Sequence, residues 1–418
     1  MTTSNVPFFR PDLSGGEIEE VVAALESGWL TTGPRVKRFE EDFAIAVGAR
    51  HAIALNSCTA ALHLAVESVG LEPGQAVLVP TMTFAATAEV VRYLGAIPIL
   101  VDCDPATLNI DLEDADRKLA DLRAGRLPRG VPGTAAVVGI MPVHVGGLML
   151  DAARVREWAR QRGFWVIEDA AHAFPAAFRR SSGEPWVRCG ENTADVTCFS
   201  FYANKTITTG EGGMAVTDDD ALWQRMRLMS LHGLSNDAWS RYSGGRSWDY
   251  RILAPGFKYN LTDLAAAIGL RQLARAENMR AQREAISVRY REELRGVEEI
   301  ELPSVDPDRL HSWHLFPIRL RLERLAIDRS AFIDALRDAG IGCSVHWRPL
   351  HLHPYYEETF GWSAHDLPVA TAEWERLVSL PIFPTMREDE IAAVVRTLTG
   401  LCRRQRVRPV AAEMAGGS

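Results

Sequence analysis

Apolar positions near the N-terminus recur at helical spacing. Ile18, Val21, Val22 and Leu25 fall on one stripe, and Ser14 stands three residues before Glu17, so a capping box is predicted to open an amphipathic helix. Trp29-Leu-Thr-Thr-Gly-Pro34 reads as a loop, with Pro34 starting a second helix through Phe39, Phe43 and Val47. From His51 the pattern changes. Short, nearly continuous apolar runs at 51–56, 76–80, 97–102, 135–143 and 164–169 predict strands, and the stretches 59–69, 85–94, 112–123 and 152–162 between them predict helices. Such alternation, with strands apolar on both faces, predicts an α/β fold built on a mostly parallel sheet with helices on both sides.

Beyond Asn260 the pattern changes again. A long run rich in Ala, Arg and Glu from 261 to 294 predicts one connecting helix. Strands at 314–320 and 342–347 and helices at 329–339, 370–378 and 387–401 then predict a smaller α+β unit. The expected division is a large domain over 1–261, a small C-terminal domain over 262–402 and a flexible tail over 403–418. The segment 125–134, rich in Gly and Pro, is expected on the surface, and 178–191 reads as an insertion between core strands.

Composition narrows the class. The chain has 418 residues, 47% hydrophobic and 24% charged, which suits a globular protein with two domains and a large core. A net charge of -8 argues against nucleic acid as the main partner. No window approaches eighteen uninterrupted apolar residues, so no membrane span is expected, and 1–14 lacks the pattern of a secretory leader. Six cysteines lie scattered with no C-x-x-C pair, which fits reduced thiols in a cytoplasmic protein better than a disulfide framework or a zinc site. The histidines at 311, 314, 346, 351 and 353 match no usual metal-ligand spacing, so no metal is expected.

Candidate chemistry centres on Lys205. The chain holds only four lysines, and this one follows an apolar strand (196–201) and precedes a second (212–217), among hydroxyl residues and glycines. Lysine can lose its proton and form a Schiff base, which arginine cannot; a surface-loop lysine is the plain alternative for this stretch alone. Three other constellations fall at strand ends, where ligands gather in open α/β sheets. Ser57 and Thr59 open a helix whose free amides could hold a phosphate, or Ser57 or Thr59 is an ordinary cap. Asp169 ends an apolar strand, where it could pair with a pyridinium N–H, with His172 three residues later; capping carboxylates and a satisfied core histidine are the alternative. Phe84 lies just past a strand end, placed to stack on a flat ring or to join the core. Together these are the needs of pyridoxal phosphate, an electron sink.

The segments NSCTAALHLA, VPTMTFAATA, PVHVGG, VIEDAAHA, CFSFYANKTITTGEGGMAVT, LHGL and GFKYNLTDLAAAIGLRQL, with HWRPLHLHPYY and SLPIFPTM, resemble the DegT/DnrJ/EryC1/StrS family of pyridoxal-phosphate sugar aminotransferases from about Thr32 to Met386. The resemblance implies a fold type I, aspartate-aminotransferase-like architecture. It implies that Lys205 forms the Schiff base and shuttles a proton, that Asp169 pairs with the pyridinium nitrogen and that Phe84 takes the stacking position. It places His172 near the phenolic oxygen and assigns the phosphate to Thr59, Ala60 and Ser200. Asn260 would reach the phosphate of a neighbouring subunit, implying a homodimer with shared sites. Cys58 stands where glycine is common. Retention of Lys205 favours transamination over the dehydratase branch, in which histidine replaces it. The expected reaction passes the amino group of L-glutamate, through pyridoxamine phosphate, to a keto carbon of a nucleotide-linked deoxysugar. LHGL, GFKYNLTD and FYANKT resemble the branch acting at C4. A C3-ketosugar, a cyclitol ketone, a lyase or desulfurase, and a non-catalytic regulatory protein are the alternatives. Arg241 or Arg246 would meet the nucleotide diphosphate. Gly210, Gly212 and Gly213 would leave room for the cofactor and the neighbouring subunit.

Overall fold

A computed structural model describes residues 5–235 and 250–407. Strands β1 (His51–Leu55), β2 (Ala76–Pro80), β3 (Ile97–Val101), β4 (Val137–Ile140) and β5 (Trp165–Asp169) appear where apolar runs predict them. They are followed by β6 (Ala177–Phe178), β7 (Val187–Arg188), β8 (Val196–Ser200), β9 (Gly213–Thr217), β10 (Ile300–Glu301), β11 (Arg309–Leu310), β12 (Phe316–Leu320) and β13 (Leu377–Leu380). Seven of them form one sheet in the order β1-β9-β8-β5-β4-β2-β3. Only β9 runs against its neighbours, so the carboxyl ends of β1, β2, β5 and β8 open on one edge. β5 is the fourth of the seven, which places Asp169 at the middle of that edge.

Helices α1 (Gly15–Glu26), α2 (Pro34–Val47), α3 (Cys58–Ser68), α4 (Ala86–Tyr93), α5 (Leu112–Arg123), α6 (Ala152–Arg160) and α7 (Asp220–Ser230) accompany the large sheet. Their starts follow local rules. Ser14 and Glu17 form the predicted capping box, and Pro34 is the first residue of α2. Ser57 accepts the Ala60 amide at the start of α3. The stripe on α1 is not covered as an amphipathic helix would imply: Ile18, Val22 and Leu25 are exposed, and the buried residues are Glu17 and Ala24. Glu17 is held instead by Arg275 and Gln272, so α1 docks through a polar contact.

The second half departs further from the pattern. The predicted single connecting helix is two, α8 (Asp263–Leu273) and α9 (Ala276–Leu294), broken at Ala274 and Arg275. Helices α10 (Arg329–Asp338), α11 (Pro354–Phe360), α12 (Pro368–Arg376) and α13 (Glu388–Gln405) follow, with β10-β12-β13 as a small antiparallel sheet. The strand expected at 342–347 is absent; Ser344 makes one isolated bridge to Ser379. Val378, expected in a helix, belongs to β13 instead, pairing with Ile318. The insertion 178–191 folds against Arg309–Leu310 as part of a three-stranded sheet of β11, β6 and β7. The last helix runs to Gln405, into the stretch expected as tail, and Arg406 pairs with Glu299.

Two large apolar clusters result, and they cut across sequence order. Val6 packs in the cluster of β12, β13 and α13, held by Val6 N to Gly340 O and Gly342 N to Val6 O, both 2.8 Å. Conversely Leu350, Tyr356, Phe360 and Trp362 pack into the cluster of the large sheet. The N-terminal segment and the 350–367 segment thus tie the two units together, burying apolar area at about 25 cal/mol per Å².

Candidate active site

The sheet edge opens on a cavity of about 490 Å³. Its lining draws on the ends of β2, β5 and β8, on the start of α3 and on 314–347 from the C-terminal half. Thr59, Phe84, Asp169, His172, Ser200 and Lys205 all face it. Ala60 and Asn260 do not. Ala60 is buried and its amide donates to Ser57 Oγ at 3.1 Å. Asn260 lies in a separate groove, donating to Thr32 Oγ1 at 2.6 Å and accepting from Lys258.

Alternation along β5 sorts its two carboxylates. Glu168 is buried on one face, accepting the hydroxyls of Thr193 (2.6 Å) and Thr197 (2.9 Å), with His144 Nε2 at 3.6 Å. Burial pushes its pKa up, but His144 and the two hydroxyls outweigh that and hold it below the ordinary value. Asp169 faces the cavity. Its Oδ2 accepts the Thr87 hydroxyl at 2.7 Å and its Oδ1 the Ala171 amide at 3.0 Å, which fixes the carboxylate and leaves lone pairs for a ligand. Thr87 carries no sequence cue for this part; it lies in the first turn of α4 and meets Asp169 only through the fold.

Lys205 sits in a tight loop after β8. Its amide donates to Tyr202 O at 2.9 Å, and Phe201 O accepts from both Thr208 Oγ1 and Thr209 N. Nζ makes no hydrogen bond or ion pair with the described residues. Desolvation lowers its pKa to about 8, against the opposing pull of Cys58 and Asp169. His172 is neutral, its pKa pushed well down by burial and then by Lys205 and His346. Its Nδ1 accepts the Gly146 amide at 3.3 Å, which assigns the proton to Nε2. Its ring is stacked on Trp347 (5.0 Å, 16°) and tilted against His314 (4.1 Å, 43°).

These residues fit pyridoxal phosphate. The Cys58 and Thr59 amides in the first turn of α3 lack intrahelical acceptors and lie beside the Thr59 and Ser200 side chains, a cradle for an anion. A fixed carboxylate, an unspent amine and a face of Phe84, 62% exposed, complete the set. Gly212 lines the cavity, and the glycines also answer close approaches within the chain. A Cβ on Gly213 would stand 2.4 Å from Ser57 C and 2.5 Å from Cys58 N, so its smallness lets β9 approach the backbone at the start of α3. A Cβ on Gly212 would meet Thr209 Oγ1 at 2.2 Å, and Gly210 has φ +83, a left-handed turn. Arg241 and Arg246 lie outside the described residues.

Among the described residues one group, His144, Glu168 and Cys189, has the proximity of a metal site. His144 Nδ1, however, accepts the Leu150 amide at 3.4 Å, so Nε2 carries the proton toward Glu168 and is a donor there, not a ligand. No helix among the described residues is long and apolar enough to cross a membrane.

Comparison with known proteins follows the same lines. The profile of the DegT/DnrJ/EryC1/StrS aminotransferase family matches residues 11–399. Over 399 residues the chain is 41% identical to the spore coat polysaccharide biosynthesis protein SpsC of Bacillus subtilis (strain 168), covering 95% of this chain and 97% of that protein. It superposes on the putative sugar aminotransferase Spr1654 from Streptococcus pneumoniae in its PMP-form with a TM-score of 0.85, at 29% identity over 96% of this chain and 100% of that one. DesV from S. venezuelae, in complex with a ketimine intermediate, superposes with a TM-score of 0.79 at 28% identity over 93% and 94% of the two chains.

Proposed function

The chain belongs to the DegT/DnrJ/EryC1/StrS aminotransferase family and is a pyridoxal-phosphate-dependent sugar aminotransferase, and on that premise we propose that it moves the amino group of L-glutamate to C4 of a nucleotide-linked 4-ketodeoxysugar in two half-reactions at one cavity. The observation that carries this reading is the unspent amine of Lys205 facing Asp169 across that cavity, held near a pKa of about 8. Bound there, pyridoxal phosphate supplies an electron sink for the bond changes at the amine-bearing carbon.

The chain's own residues then have separable tasks. Lys205 Nζ, its pKa lowered to about 8, would carry a proton from one carbon to the other. Asp169, fixed by Thr87 and Ala171, would keep the ring nitrogen protonated. His172 offers Nε2–H as a neutral donor. Thr59, Ser200 and the Cys58 and Thr59 amides would hold the phosphate, with Phe84 against the ring. Ala60, its amide spent on Ser57, would contribute through packing at the first turn.

Choice of C4 rests on the LHGL, GFKYNLTD and FYANKT segments. A homodimer with Asn260 reaching the neighbouring site is supported by the placement of Asn260 outside its own cavity and by the uncovered stripe Ile18, Val22 and Leu25. A cytoplasmic setting is supported by six free cysteines.

The test is spectral and then chemical. Purified protein should show a visible band that glutamate bleaches, and Lys205→Ala should lack it. The bleached enzyme should then aminate a nucleotide 4-ketosugar, read by mass spectrometry. Amination only of a 3-ketosugar or of scyllo-inosose would overturn the C4 assignment, and a coloured Lys205→Ala that still turns over would overturn the role of Lys205.

A further inference from the structure

His314 is unaccounted for by the cofactor. It is 5% exposed and lines the cavity, and neither ring nitrogen hydrogen-bonds to any described residue. Its Nδ1 is fully buried without a partner, which is unfavourable relative to an apolar ring of similar shape, so packing alone would favour phenylalanine at this position.

The backbone around it is also unusual. Trp313 has φ 50, a left-handed conformation that a bulky residue adopts only when its surroundings enforce it. Three hydrogen bonds do so. Its amide donates to His311 Nδ1 at 2.8 Å, its indole to Glu284 Oε2 at 2.6 Å, and its carbonyl accepts from Arg283 Nη1 at 3.2 Å. His311 stacks flat on the indole at 4.0 Å and 6°. Arg283 is itself buried, bonded only to carbonyls, with no carboxylate partner among the described residues. A buried guanidinium and a strained turn are thus both maintained where the chain delivers His314 to the cavity.

We propose that His314 is a specificity residue of the acceptor half-reaction, hydrogen-bonding a hydroxyl next to the keto carbon of the sugar, with Arg283 and the Trp313 turn as its positioning device. The inference rests on the nucleotide-ketosugar reading above. Burial, and then the neighbouring His172 and Lys205, keep the ring neutral, so it offers one donor and one acceptor. The nitrogen that faces the cavity can meet a hydroxyl in either tautomer, since a hydroxyl both gives and accepts a proton. A carboxylate of glutamate only accepts, and is met by the N–H tautomer alone. Leaving one buried polar group unpaired is what gives sites of this kind their discrimination between a hydroxyl and its absence.

The test compares His314→Phe and His314→Gln with the wild-type holoenzyme on dTDP-4-keto-6-deoxyglucose, on its 3-deoxy analogue and on glutamate alone. For His314→Phe the fall in kcat/KM on the hydroxylated sugar should be at least tenfold larger than the fall on the 3-deoxy analogue and than the fall in the glutamate half-reaction. His314→Gln, which keeps a donor and an acceptor, should recover part of the loss. Equal losses on the two sugars, or a glutamate half-reaction slowed as much as the sugar one, would overturn the proposal. Should the wild type bleach with glutamate yet aminate neither sugar, the 4-ketosugar reading itself fails and this inference with it.

Discussion

Replacing Lys205 by methionine should stabilise the cofactor-free protein while abolishing its chemistry. The amine is held at about 8 in the fold against 10.5 for an unburied lysine, because the cavity wall desolvates its charged form. The fall from 10.5 to about 8 corresponds to about 3 kcal/mol. The folded pKa is the depressed one, so the unfolded chain binds more protons between pH 8 and 10.5 and stability rises with pH across that window. Below pH 8 the full cost is present. The Lys205→Met substitution removes it, so the gain should be about 3 kcal/mol at pH 7, about 2 kcal/mol at pH 9 and under about 1 kcal/mol above pH 10. Against a typical total of about 5–15 kcal/mol, such a gain is easily read. Urea denaturation of both apoproteins at the three pH values, with unchanged m, measures it. A methionine variant less stable at pH 7, or a gain that does not decay with pH, would refute the claim that burial depresses this amine.

Two further changes probe the supports of the site. Thr87→Val removes the hydroxyl that donates to Asp169 Oδ2 at 2.7 Å; cofactor affinity, read by fluorescence titration, should fall about tenfold or more, since hydrogen bonds to charged groups contribute about 1.5–3 kcal/mol. Gly213→Ala puts a methyl 2.4 Å from the Ser57 backbone and should lower stability by about 1–3 kcal/mol, read as a drop in Tm, while the same change at Gly210, where no atom lies within 4 Å, should disturb only its left-handed turn.

The large sheet was legible because its strands are apolar on both faces and its helices carry local start codes such as Ser14, Pro34 and Ser57. The placement of Lys205 and Asp169 on one cavity was legible for a related reason: Asp169 ends an apolar strand and Lys205 closely follows one, at the sheet edge where ligands gather. What failed was pattern without tertiary context. The break between α8 and α9 falls inside a run of good helix formers, and Arg275 there turns to bond Asp12 O and Glu17, residues more than 250 positions away. The apolar letters of 342–347 suggested a strand, yet the bridges there are single, Val6 with Ile341 and Ser344 with Ser379, because the segment must bend to bring His346 and Trp347 over the cavity. Thr87 and His314 belong to the same class. Thr87 lies inside VPTMTFAATA and His314 among the histidines weighed as metal ligands, but neither residue's task could be read there; the carboxylate one serves and the strained turn behind the other depend on distant parts of the chain.

One physical cause runs through the whole cavity. The desolvation that brings Lys205 to about 8 also lowers His172 and His314 well below their ordinary value and His346 to about 4. A lysine so treated becomes an amine able to exchange protons at neutral pH, and the histidines become uncharged rings that can both give and accept a hydrogen bond. Letting water into the site would reverse all of these at once: the amine would hold its proton more tightly and the imidazoles would approach their free range. The ring contacts that close this side, His172 on Trp347 and Phe8 stacked on His346 at 5.5 Å, are therefore electrostatic devices as much as packing. Phe8 comes from the same N-terminal segment that Val6 anchors beside Gly340 and Gly342. A Phe8→Ala change that admits water beside His346 should therefore raise the pKa of Lys205 above about 8, read as a shift in its titration; an unmoved titration would show that this ring contact plays no part in excluding water.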